Sequence, residues 1–211
     1  MKNKNFVVTI NRVFGSGGGE IARKLGKKLG VNVYGKEVLK QLVEKFNLTE
    51  TELEKIKAQK TSWWSDIVLF YNQFDSLGNP YTDFNAEVTS LQLYNAEAQL
   101  LKEISDRESC VIIGRSGFHI FRNDDNAVKI LILADREECI KRVMKKTDMD
   151  EKSVEKLMDR IDISRENYTK SFAECSRYEA RNYDLVINVS GMKVDEAVDF
   201  IYNYVKVKQG L

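Results

Sequence analysis

The glycine-rich stretch near the amino terminus carries the clearest chemical signal in the sequence. Residues 6–10 form an apolar β-branched run, residues 11–19 read NRVFGSGGG, and residues 20–29 have the spacing of a helix. A strand–loop–helix unit of this kind directs backbone N–H groups and the positive end of the helix dipole into the loop. Glycines allow close approach of a ligand and positive φ angles. The stretch therefore predicts a site for a phosphate-bearing ligand.

The loop matches known phosphate-binding patterns only in part. In the P-loop pattern G-x-x-x-x-G-K-[ST], the first glycine falls on Arg12 and the lysine on Gly18. In the dinucleotide pattern G-x-G-x-x-G, Gly15 and Gly17 match, but Glu20 takes the place of the third glycine. An ordinary glycine-rich turn that packs a helix on a strand is the remaining alternative. The strand–loop–helix context favours phosphate binding.

Other candidate residues follow the ends of further predicted strands. Apolar runs that alternate with helical patterns predict a parallel sheet, with strands at 6–10, 31–34, 109–113, 128–134 and 184–189. Ligands of such sheets bind at the carboxyl ends of the strands. We therefore expect the glycine loop to share this edge with Lys36, Arg115, Asp135 and Arg136.

Composition restricts the class of protein. The chain has 211 residues, 43% of them hydrophobic, which suits one α/β domain with a helical insertion. Lys and Arg (33) nearly balance Asp and Glu (32), so charge does not favour a nucleic-acid partner. No apolar run predicts a membrane span, and the first residues lack a signal-peptide pattern. Three widely spaced cysteines predict reduced thiols and a cytoplasmic location, and a single histidine, His119, excludes a multi-histidine metal site.

Residues 61–85, TSWWSDIVLFYNQFDSLGNPYTDFN, are rich in aromatic side chains and less regular in spacing than their surroundings. We interpret them as packing within an inserted subdomain or at a dimer contact. A lid that stacks on a base is the alternative. Exposed aromatics would also suit self-association into a homo-oligomer.

Four stretches together resemble the cytidylate kinase-like proteins, a branch of the P-loop nucleoside-monophosphate kinases: VTINRVFGSGGGEIARKLGKKLGVNVYGKEVL, CVIIGRSGFHIF, KILILADREECIKRVM and LMDRIDISRENY. The resemblance implies a P-loop NTPase-like, three-layer αβα fold around a five-stranded parallel sheet. It implies one kinase-like domain within 1–211, with a core at 1–36, 107–144 and 182–211. A helical acceptor-binding insertion would occupy about 37–106 and a lid about 145–181.

The resemblance also implies site residues. Arg115 would contact the acceptor, Arg142 would lie near ATP at the base of the lid, and Arg165 would reach the transferred phosphate, with Arg160 a weaker match. ATP and Mg²⁺ are the implied cofactors. By the same resemblance, Gly15, Ser16, Gly17, Gly18 and Gly19 would hold the ATP phosphates, and Arg115 and Ser116 would lie at the acceptor. From their places at the loop and the sheet edge, we expect Arg12 and Glu20 to join the donor site and Lys36 to join the acceptor site.

Several positions depart from that family pattern. Glycine replaces lysine at 18, arginine at 19 and aspartate at 35, and Ser116 replaces an aspartate. No carboxylate precedes Gly114, so a Mg²⁺ ligand is missing there. Glu20 could approach Mg²⁺, but a carboxylate in the first turn of a helix is favourable by itself.

These departures leave the function open between three hypotheses. The first is an ATP-dependent kinase of a nucleoside monophosphate or similar small acceptor. The second is a non-catalytic protein that binds a nucleotide or another phosphorylated small molecule. The third is a Rossmann-type dinucleotide-binding protein, against which Glu20 and the lid arginines argue. None of the three calls for a nucleic-acid or membrane partner.

Overall fold

The computed structural model describes residues 5–35, 38 and 90–211. The predicted acceptor residue Lys36 lies outside the described residues, as do the aromatic segment 61–85 and most of the predicted insertion. The boundaries of the predicted insertion therefore stay a prediction.

A five-stranded parallel sheet forms the centre of the molecule, in the order β2-β3-β1-β4-β5. Its strands are β1 (Val7–Arg12), β2 (Asn32–Tyr34), β3 (Cys110–Ile113), β4 (Ala127–Leu133) and β5 (Leu185–Asn188). β1 occupies the middle position, where Val8 pairs with Val111 of β3 and Val128 of β4. Apolar residues nearly throughout β1 and β4 fit strands that are covered on both faces.

Helices cover both faces of this sheet. The described helices are α1 (Gly18–Leu29), α2 (Ser90–Arg107), α3 (Gly117–Ile120), α4 (Arg136–Met144), α5 (Glu151–Ala173) and α6 (Val194–Gln209), with a 3₁₀ turn at Ala180–Asn182. Leu25 of α1 and Ile201 of α6 pack on one face, against Ile10 of the sheet. Leu101 of α2 and Tyr168 of α5 pack on the other face with Ile112. The predicted αβα architecture with a five-stranded parallel sheet is confirmed.

The first strand extends two residues beyond its predicted end. Asn11 and Arg12 were expected in the loop, but they pair with Leu131 and Ile132 of β4 and complete β1. Because side chains alternate along a strand, Arg12 lies on the face of Ile10, where α1 packs. The sheet therefore fixes the direction in which the Arg12 side chain leaves the backbone.

No helix among the described residues is long and apolar enough to cross a membrane.

Candidate functional site

The glycine loop between β1 and α1 is stabilised by contacts within the loop. Gly15 and Gly17 have φ angles of 82° and 81°, in the left-handed region that favours glycine. The buried Ser16 hydroxyl donates to the Val13 carbonyl at 2.9 Å and accepts from the Gly18 N–H at 3.3 Å. A Cβ at Gly15 would lie 2.8 Å from Cβ of Cys139, so only glycine fits there. Ser16 therefore shapes the loop through bonds to the residues on both sides of it.

Arg12 connects the glycine loop to the turn after β3. A Cβ built on Gly18 would lie 2.7 Å from Cβ of Arg12, and one built on Gly114 would lie 2.4 Å from its Nη1. The partly buried side chain therefore runs past the first residue of α1 and ends at Gly114. Burial lowers the pKa of Arg12 well below its ordinary value, and the nearby charges of Arg165, Arg177 and Arg115 lower it further.

The Arg12 guanidinium forms no ion pair with any of the described residues. A partly buried charge without a partner is costly, and the cost grows when like charges surround it. An anionic ligand would remove that cost.

The turn after β3 has an unusual backbone. Gly114, Arg115 and Ser116 have φ angles of 73°, 59° and 47°, so three successive residues are left-handed. A non-glycine residue in this region costs of the order of 1 kcal/mol or more, and such strain is concentrated at functional sites. The turn sets the direction of Arg115.

Two helices hold Arg115 and Ser116 from the side opposite β1. Arg115 pairs with Glu97 of α2 at 3.2 Å, and both side chains are nearly buried. The Tyr168 hydroxyl of α5 donates to the other oxygen of Glu97 at 2.7 Å. Burial raises the pKa of Tyr168, and the Glu97 carboxylate raises it further. Ser116 is buried, with Oγ 3.4 Å from Oγ1 of Thr169, so its hydroxyl faces α5.

Asp162 of α5 fastens the loop to the predicted lid. Its oxygens accept from the Phe14 N–H at 3.0 and 3.1 Å, from Arg165 at 3.1 Å and from Arg177 at 3.2 Å. Arg165 also lies with its guanidinium over the Phe14 ring. Burial and the charge of Arg177 lower the pKa of Arg165 to about 10.

Arg177 was not among the predicted site residues. Its side chain is 1% exposed and donates to Oδ1 of Asn11 at 2.8 Å and to the backbone carbonyl of Arg12. Asn11 in turn donates to the Tyr183 hydroxyl and to the Arg177 carbonyl. This network holds the end of β1, and the sequence carries no local pattern that would have shown it.

The remaining predicted residues differ in their surroundings. Arg142 of α4 donates from Nη1 to the Gly15 carbonyl at 2.7 Å and lies beside Gly17. Glu20 pairs with Lys146 at 3.5 Å. Arg160 is exposed, and Gly19 has Arg23 as its nearest side chain.

Asp135 was expected to cap α4, and it occupies the N-cap position without a side-chain capping bond. Its carboxylate instead accepts from Asn188. Among the described residues, no group of three or more His, Cys, Asp or Glu side chains could hold a metal ion.

The structure therefore brings Arg12, Arg142 and Arg165 to the glycine loop, and Arg115 to the far end of Arg12. It turns the Ser116 hydroxyl away from this space. Asp162 and Arg177 also contact the loop and the end of β1, and neither was among the predicted site residues.

A central strand that ends in a glycine loop and a helix N-terminus defines the class of fold as that of the P-loop kinases. Solved structures agree with this assignment. A shikimate kinase from Acinetobacter baumannii in complex with shikimate superposes with a TM-score of 0.52 at 11% identity, over 97% of this chain and 95% of that one. TT1252 from Thermus thermophilus gives 0.53 at 16% identity, over 97% of both chains.

Within that class, the chain belongs to the Cytidylate kinase-like family, whose pattern matches residues 7–191. An uncharacterized protein from Eubacterium ventriosum ATCC 27560 has the same fold, with a TM-score of 0.69 at 24% identity, over 96% of this chain and 99% of that one. Comparison with curated protein sequences gives no match.

Proposed function

We propose that this protein is an ATP-dependent phosphotransferase that acts on a nucleoside monophosphate or a similar small acceptor. The observation that carries the proposal is the Arg12 guanidinium, which lies between the glycine loop and the 114–116 turn and forms no ion pair with any described residue. Kinase-like membership and the P-loop kinase fold support the general class.

Charge is the main requirement of this reaction. Phosphoryl transfer needs in-line positioning and neutralisation of negative charge on the phosphate oxygens. Arginine suits this role because its planar fork binds two oxygens at once. In this proposal the N–H groups of the glycine loop bind the donor phosphates, Arg12 binds the transferred group, and Arg115 binds the acceptor.

The lid arginines have supporting roles in the proposal. Arg142 lies beside Gly17 and would bind the donor nucleotide from the α4 side. Arg165 would turn from Asp162 to the transferred phosphate as charge develops there. Arg177 stays buried and holds the end of β1.

The loop fits a polyphosphate, because its backbone and the start of α1 offer N–H donors, and a Cβ at Gly17 or Gly19 would meet no atom closer than 3.7 Å. Mg²⁺ normally accompanies ATP, but the described residues offer no carboxylate cluster to bind it.

A non-catalytic phosphate-binding protein is the second candidate, and Gly18 at the lysine position favours it. Calorimetric titration with ATP, with and without Mg²⁺, separates the two when it is combined with an assay for ADP release in the presence of CMP and other nucleoside monophosphates. Acceptor-dependent ADP release supports the kinase. ATP binding without any such release supports the non-catalytic protein, and no binding of ATP contradicts both.

The role of Arg115 can be tested by substitution in the same ADP-release assay. Truncating it alone would leave Glu97 buried without its cation, so the informative variant is Arg115→Met with Glu97→Gln, which removes both charges. We expect a loss of about 100-fold in kcat/KM, typical of removing one charge-stabilising donor. Arg122→Ala is the matched control, since Arg122 is exposed and donates only to the carbonyl of His119 among the described residues. Equal rates in the two variants would contradict a role for Arg115.

A further inference from the structure

Five arginines lie at the glycine loop, at the end of β1 or at the 114–116 turn, and four of them already have an acceptor. The Gly15 carbonyl accepts from Arg142, Asp162 from Arg165 and Arg177, and Glu97 pairs with Arg115. Arg12 differs, because the described residues offer its guanidinium no ion pair. Within the described part of the chain, Arg12 is therefore the arginine of this group that a ligand can bind without first breaking an ion pair or hydrogen bond.

The start of the Arg12 side chain occupies space that a lysine at position 18 would need. Gly18 occupies the position of the P-loop lysine, and a Cβ there would lie 2.7 Å from Cβ and 3.0 Å from Cγ of Arg12. Neither atom can move far, since both belong to the start of a side chain fixed by the end of β1. A lysine at 18 and an arginine at 12 thus exclude each other.

The far end of Arg12 lies against a second glycine. Nη1 lies 2.4 Å from the position of a Cβ on Gly114, the residue that opens the left-handed turn. Arg12 therefore spans from the glycine loop to the turn that carries Arg115. A P-loop lysine reaches the β- and γ-phosphates from the helix side, whereas the Arg12 side chain passes the loop from the strand side.

We infer that Arg12 replaces the P-loop lysine, so that the phosphate-binding cation has moved from the first turn of α1 to the last residue of β1, and that residue 18 is a glycine because the start of the Arg12 side chain occupies the space of its Cβ. This inference rests on the proposed function and specifies which residue binds the phosphates.

An exchange of residues tests the inference. Arg12→Met removes the cation and keeps most of the side chain, and Gly18→Lys adds a lysine where Arg12 blocks it. The double variant Arg12→Gly with Gly18→Lys restores the P-loop pattern and removes the Cβ that causes the overlap. Affinity for ATP and for inorganic tripolyphosphate would be measured by calorimetry.

We expect each single variant to lose about tenfold or more in affinity, the typical effect of one charge-assisted hydrogen bond. The double variant should bind within about threefold of the original protein, a non-additivity typical of residues in contact. Losses that add in the double variant, or an unchanged Arg12→Met, would overturn the inference and the role of Arg12, whereas acceptor-dependent ADP release by the unsubstituted protein would still support a kinase. Failure of the unsubstituted protein to bind either probe would overturn both.

A second pair of double variants, compared by stability, tests the same contact if the variants above do not fold. Gly18→Ala adds only the overlapping Cβ, so it should lower the urea midpoint in the Arg12 background and have little effect together with Arg12→Gly. Gly19→Ala is the control, because a Cβ there meets nothing closer than 3.7 Å. Equal effects of Gly18→Ala in both backgrounds would show that Arg12 does not occupy the space of residue 18.

Discussion

Two regions of the molecule gather cations in opposite ways. A groove of about 200 Å³ beside the first half of β4 is lined by Lys129, Arg122 and Arg181, and each has an acceptor. Lys129 lies 3.7 Å from Asp184, Arg122 donates to the His119 carbonyl at 2.8 Å, and Arg181 pairs with Glu179. At the glycine loop, Arg12 has no such acceptor among the described residues. Balanced cations stabilise the fold, whereas an unbalanced one indicates a ligand.

The largest effect is expected at Asp162, the carboxylate that accepts from both Arg165 and Arg177 beside the glycine loop. Asp162→Ala leaves Arg165, the buried Arg177 and the Phe14 N–H without their acceptor. We expect a loss of about 3 kcal/mol in the free energy of unfolding, measured with urea. Asp159→Ala on the same helix is the control, since its ion pair with Arg136 is exposed and contributes about 0.5 kcal/mol at most. Equal losses would mean that the loop does not depend on α5.

An intermediate effect is expected at Asp184, which accepts from the Lys129 N–H at 2.8 Å and pairs with Lys208 at 3.1 Å. Burial alone would raise the pKa of Asp184, but the bonds to Lys129 and Lys208 lower it overall. Asp184→Asn should cost about 1.5 kcal/mol at neutral pH.

The sign of the pH dependence follows from that lowered pKa. The carboxylate of Asp184 stabilises the folded state above the unfolded pKa of about 3.9, and this contribution disappears as the pH falls through the lower, folded value. Urea unfolding at neutral pH and near about pH 3 should therefore show a smaller acid-induced loss for Asp184→Asn than for the original protein. Parallel losses would show that Asp184 keeps an ordinary pKa.

The smallest changes in the free energy of unfolding are expected when either of two cations, Lys129 or Arg12, is replaced by methionine. Lys129→Met removes a paired charge and should cost about 1 kcal/mol. Arg12→Met removes repulsion from Arg115, Arg165 and Arg177 and should leave the protein equally stable or about 0.5 kcal/mol more stable. Chemical denaturation at low and high salt measures both, and the gain for Arg12→Met should shrink as salt screens the repulsion. A destabilised Arg12→Met would indicate a structural cation.

Much of the fold could be predicted because its signals are local. The apolar run VKILILA and the glycine loop each occupy a few consecutive residues, and their strands and helix formed within two residues of the expected ends. The extension of β1 to Arg12 was missed because a polar pair, Asn11 and Arg12, ends an apolar run. Only pairing with β4 keeps these two residues in the sheet.

The site was harder to predict because its contacts are distant in sequence. Asn11 and Arg177 are 166 residues apart, and Phe14 and Asp162 are 148 apart. A pair such as Asp162 and Arg165 has the same spacing on a solvated helix as on one that faces a loop. The roles of the individual arginines stay predictions that the variants above can decide.

The bond between Arg177 and the end of β1 has a consequence for synthesis of the protein. Residues 6–29 leave the ribosome before residues 162 and 177 and already contain every glycine of the loop, yet the side chains that fasten this segment follow more than a hundred residues later. A nascent or truncated chain that ends before residue 177 carries the phosphate motif without this anchor. We therefore expect fragments that end before residue 177 to bind no phosphate despite an intact motif.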